Sequence, residues 1–146
     1  MYKKLLLAAS LTTILSACAM RTGPVTIYEQ QEPLENVALI SGYHEYVGEN
    51  FPELLITEID HKSSSDAMGY AVEAYVLPGN HKVKFRKINP SGLGWHSADV
   101  AIEAKAGHTY MTEYKIVKSP DTGKDMLTVK VLDKGEHHNT GMTYKK

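Results

Sequence analysis

Between Asn36 and Val131 the apolar residues recur with a period of two rather than 3.6. That alternation limits the chain to strands. Val37-Ala38-Leu39-Ile40-Ser41 reads as a first short strand. Leu54 to Asp60 is a second, with Leu55, Thr57 and Ile59 on one face and Leu54, Ile56 and Glu58 on the other. Tyr70 to Leu77 sets Val72, Ala74 and Val76 against Glu73, Tyr75 and Leu77. His81 to Ile88 alternates again, with Val83 and Phe85 inward and Lys82, Lys84 and Arg86 outward. Pro78-Gly79-Asn80 separates these two runs; Pro presets φ and Gly or Asn accepts a positive one, which predicts a β-hairpin. Ala98, Val100 and Ile102 mark a further strand. Thr109 to Val117 places Tyr110, Thr112, Tyr114 and Ile116 on one face, and Leu127, Val129 and Val131 end the series. About seven short strands without a competing helix predict an all-β fold: a single antiparallel β-sandwich, with a small barrel as the alternative.

The N-terminus carries an address. Lys3 and Lys4 precede an apolar run from Leu5 to Leu15, and small residues follow. The run falls short of the roughly 20 apolar residues a spanning helix needs. Leu15-Ser16-Ala17-Cys18 resembles the lipobox of bacterial lipoproteins, and Cys18 is the only cysteine. Residues 1–17 are therefore expected to be a lipoprotein signal peptide, cleaved to leave a lipidated (palmitate-bearing) Cys18 as the membrane anchor. The other reading is an ordinary secreted protein with one unpaired thiol. Two or three acyl chains hold durably, since each buried methylene contributes ~0.8 kcal/mol. The residue after the cysteine is Ala19 rather than Asp, which by the same resemblance implies the outer membrane, with the domain facing the periplasm.

Without Lys3 and Lys4, 14 basic residues stand against 17 acidic ones. A slightly acidic chain with no basic run excludes a nucleic-acid partner. Residues 18–35, with Pro24, Pro33 and Glu29-Gln30-Gln31-Glu32, read as the lipidated cysteine and a flexible tether of ~20–25 Å reach. Within it Val25-Thr26-Ile27-Tyr28 can add an edge strand. The domain is expected over 36–133, followed by a fraying polar tail over 134–146.

The stretch Leu77-Pro78-Gly79-Asn80-His81-Lys82-Val83-Lys84-Phe85 resembles the strand pair of PEGA-like domains and of a set of small bacterial lipoproteins. Ala106-Gly107-His108-Thr109-Tyr110 is similar to a second turn of those lipoproteins, with His108 for Lys. Ile56-Thr57-Glu58-Ile59-Asp60-His61-Lys62 is similar to their upstream element, with His61 for Gly, a departure that implies a different turn. The resemblance covers roughly residues 36–117. It implies an immunoglobulin-like or transthyretin-like sandwich and a surface module without a shared catalytic site.

Seven histidines are the unusual feature. His81 and His108 each open a strand just after a turn, and His44 and His61 lie in loops. Neutral imidazole is the commonest protein ligand for transition metals, so His81, His108, His44 and His61 are candidate ligands; solvated loop histidines are the alternative. The vicinal pair His137-His138 would need irregular backbone to share an ion. Asp121-Thr122-Gly123 matches the aspartic-protease triplet, but Ser119-Pro120 before it makes a β-turn. No nucleophile motif or phosphate loop is present, so no enzyme activity and no cofactor beyond a transition-metal ion are expected. Trp95, Tyr43 and Tyr46 in loops are candidates for a partner-binding surface, or else lids over the ends of the sandwich. Taken together the sequence predicts an envelope lipoprotein serving as a binding or assembly module, with a periplasmic metal-binding protein as the alternative.

Overall fold

A computed structural model describes residues 23–43, 54–66, 69–88 and 94–144. Residues 1–17, expected as a signal peptide, together with Cys18, His44, Tyr46 and most of the expected tether before Val25, lie outside the described residues. The chain is all-β, in two sheets. The strands are β1 (Val25–Thr26), β2 (Ala38–Ser41), β3 (Leu55–Ile59), β4 (Lys62–Ser63), β5 (Glu73–Val76), β6 (Gly79–Ile88), β7 (Trp95–Ala104), β8 (His108–Lys118) and β9 (Asp125–Glu136). The first sheet runs β1-β5-β2-β8-β9 and the second β4-β3-β6-β7.

The period of two explains the core directly. Ala38, Ile40, Ala74, Val76, Tyr110 and Leu127 come from the first sheet. Ile56, Ile59, Val83, Phe85, Ile102 and Ala104 come from the second, and together they form one buried cluster between the sheets. Phe85 is fully buried, and each such large apolar side chain contributes about 1.5–3 kcal/mol. Tyr110 joins the core through its ring while its hydroxyl reaches the rim. There it accepts from the Lys105 N–H (2.9 Å) and donates to the Glu103 carbonyl (3.1 Å). Those bonds brace the corner where the chain passes from β7 in the second sheet to β8 in the first.

The predicted hairpin at Pro78-Gly79-Asn80 is not a hairpin. β5 pairs antiparallel with β2, and β6 pairs with β3 and β7. The Pro-Gly corner instead carries the chain from one sheet to the other, with Gly79 at φ 128°. Alternation specifies that both flanking runs are strands and which face of each is apolar. It does not specify a partner, and here both apolar faces are buried by placing the two strands in opposite layers.

The termini are also more ordered than the pattern predicts. β1 lies inside the segment expected as a tether and pairs parallel with β5, while Val25 and Ile27 pack against the core. At the other end β9 reaches Glu136 and the chain then folds back. The His137 N–H donates to the Gly107 carbonyl, the Thr109 hydroxyl to the His138 carbonyl, and the Tyr144 hydroxyl to Glu73 Oε2 (2.8 Å). Glu73 is 3 % exposed, and its other oxygen accepts from the Ser41 hydroxyl (2.8 Å). The expected tail is thus held in part by a buried carboxylate that would be costly to leave unpaired.

Candidate functional site

The turn between β3 and β4 starts the site. Asp60 (φ 50°) and His61 (φ 66°) both sit in the left-handed region, as a two-residue hairpin of mirror-image type requires. His61 therefore holds a conformation that glycine adopts at little cost. The turn presents the Asp60 carboxylate to the start of β6. There Oδ1 accepts from the Lys82 N–H (2.8 Å) and Oδ2 meets His81 Nδ1 at 2.6 Å. The other ring nitrogen, Nε2, lies 2.6 Å from the Leu77 carbonyl. Both partners only accept, so both bonds form when both ring nitrogens carry hydrogen. His81 thereby ties the Asp60 turn to the chain crossing between the sheets. Partial burial pushes the Asp60 carboxyl up; the hydrogen bonds from His81 and Lys82 and the nearby charges of His81 and His61 outweigh it and hold the group below the usual range.

Beside this bridge a cleft of about 550 Å³ opens between the layers. Ile27, Tyr28, Glu29, Gln30 and Glu32, which continue from β1, form one wall. Ile59, Asp60, Lys62 and His81 form the other, with Val76 and Leu77 at the end of β5 between them. The floor is apolar and the rim is charged. Burial pushes the Tyr28 phenol up, and Tyr75 and Glu32 add to the shift. The cleft exists because the edge strands here, β1 and β4, have only two residues each and leave the interlayer seam uncovered. On the opposite seam the long strands β7 and β9 approach one another.

Of the four predicted metal ligands, the three among the described residues do not meet at one point. His81 belongs to the second sheet. His108 belongs to the first, where its Nδ1 meets Asp133 at 2.8 and 3.0 Å. Burial raises the Asp133 carboxyl, but the Gly135 N–H and His108 together hold it below the usual range. His61 is exposed and lies 3.5 Å from Glu58. His44 lies outside the described residues. Among the described residues no group of three His, Cys, Asp or Glu side chains is placed to hold a metal ion. His137 has the irregular backbone that a vicinal pair needs (φ 50°), and with His138 it flanks a smaller pocket of about 190 Å³. Asp121 and Thr122 lie in the turn between β8 and β9.

The aromatic candidates also separate. Trp95 opens β7 in the second sheet and is 46 % exposed. Tyr43 follows β2 in the first sheet and is half-buried, its ring beside Gly141 of the C-terminal segment. Tyr46 lies outside the described residues. The residues that sequence reasoning missed are Ile27, Tyr28, Glu29 and Glu32, read as part of the tether. The β-branched run Val25-Thr26-Ile27 was the signal for them. A scan against protein-family models, a search of curated proteins and a search of solved structures return no match to this chain.

Proposed function

We propose that this chain is a lipid-anchored module of the bacterial cell envelope. It is held at the outer membrane through Cys18 with its β domain facing the periplasm, and it binds a protein partner in the interlayer cleft without catalysing a reaction. The lipobox-like Leu15-Ser16-Ala17-Cys18 supports the anchor. The first strand begins close behind it: from Cys18 to Val25 the backbone reaches at most ~25 Å, which keeps the domain near the bilayer. The cleft carries the binding reading. It joins an apolar floor to a few polar groups, as ligand sites do. Both nitrogens of the imidazole that lines it are held by groups of this chain, Asp60 and the Leu77 carbonyl, so the ring serves to brace the cleft wall.

The strand order supports the transthyretin-like form of the sandwich that the resemblance to PEGA-like lipoproteins implies. In the constant-type immunoglobulin sandwich the first two strands are neighbours in one sheet. Here the first two strands, β1 and β2, share a sheet but are separated by β5, and β2 pairs parallel with β8. The anchor is tested by Cys18→Ser with palmitate labelling and membrane fractionation. Wild-type chain is expected to incorporate label and pellet with membranes, and the variant to do neither. A variant that pellets equally refutes the anchor.

A further inference from the structure

The cleft has a second feature beside its floor and rim. β1 is the outer strand of its sheet. The Ile27 N–H donates to the Tyr75 carbonyl (3.3 Å), so the bonded edge is taken by Val25 and Ile27. Strand alternation then turns the N–H and C=O of Thr26 toward the outer edge, which no strand among the described residues pairs, immediately before the residues that wall the cleft. Thr26 is exposed.

We propose, resting on the reading of the cleft as the binding site, that its occupant is an extended peptide carrying an apolar side chain flanked by lysine or arginine. Three observations converge on that chemistry. Ile27 and the exposed Leu77, lying over the buried Ile59 and Val76, give an apolar side chain a surface to pack on. On the rim the Asp60 carboxylate is already met by His81 and by the Lys82 N–H. What remains is Glu29 and Glu32 against Lys62, an excess of negative charge that attracts a cation. The free edge at Thr26 offers a main-chain donor and acceptor, which a peptide strand satisfies by extending the sheet. A simple amine would meet the rim charge and leave the floor and the edge unused.

The test uses the full chain, isotope-labelled on methyl and amide groups, in nonionic micelles. The probes are the peptides acetyl-Lys-Val-Lys-Leu-Lys-amide and its Glu-for-Lys counterpart. The basic peptide is expected to shift the methyl resonances of Ile27, Ile59, Val76 and Leu77 and to slow hydrogen exchange at the Thr26 amide. Glu29→Gln and Glu32→Gln should each weaken binding about two- to fivefold, the range for exposed charge pairs. Thr26→Pro removes a donor that bonds no strand among the described residues and should abolish binding while the remaining spectrum stays in place. Equal shifts with the acidic peptide, or unmoved methyls at millimolar basic peptide, overturn the proposal. Lipid labelling of the same chain reads the anchor independently, so a chain that is labelled yet binds neither peptide refutes the occupant alone.

Discussion

Tyr110→Phe is the sharpest test of how the two layers are joined. The substitution keeps the ring in the core and removes only the hydroxyl. Two hydrogen bonds vanish with it, one from the Lys105 N–H at 2.9 Å and one to the Glu103 carbonyl at 3.1 Å. A net hydrogen bond contributes about 0.5–1.5 kcal/mol, and both partners here are main-chain groups at a corner that is only part-buried. Water can reach some of what is released, so the loss should be about 1–2 kcal/mol rather than the sum of the upper values. For a domain of this size 1 kcal/mol moves the melting temperature by about 4 °C, which gives a drop of about 4–8 °C. The assay is thermal and urea unfolding followed by circular dichroism, with Glu103→Ala as the control. Glu103 contributes its carbonyl rather than its side chain to Tyr110, so the control should unfold close to wild type. A Tyr110→Phe variant that unfolds at the wild-type temperature, or a Glu103→Ala variant equally destabilised, would refute the corner's role.

Two further outcomes follow from the turns and the paired carboxylates. His61→Gly should stabilise the fold by about 0.5–1 kcal/mol, because it relieves a left-handed residue costing about 1–2 kcal/mol and gives back part of that through the freer unfolded chain. A lower urea midpoint for that variant would contradict the turn geometry. Asp60 and Asp133 are both held below the usual carboxylate range, so their stabilisation is present above that range and is lost as pH falls through their lowered values. The melting temperature should therefore decline in acid below pH ~4, and the paired change Asp60→Asn with Asp133→Asn should flatten that decline. An unchanged acid slope in the double variant would remove these two groups as its cause.

The candidate site was legible in half. Asp60 and His81 read from the sequence as the end of one strand and the start of another, but nothing local says that they meet. They are 21 positions apart and are joined because β3 and β6 pair in register. Ile27, Glu29 and Glu32 were hidden because a two-residue strand leaves almost no period to read, and prolines at 24 and 33 frame it as a linker. The histidines are a different case. Composition counts them, whereas only the fold places His81 and His108 in different sheets, each on its own carboxylate.

By itself the sequence determined the all-β class, the apolar face of most strands and the turn at Lys105 to Gly107, because alternation and turn chemistry act between residues a few positions apart. The tertiary structure alone decided that Pro78-Gly79 crosses between sheets, that β1 pairs with β5, and that the C-terminal segment returns to Glu73. Each of those choices buries an apolar face or pairs a polar group against a partner dozens of residues away. Such a gain depends on every other strand already being in place, and no local pattern carries it.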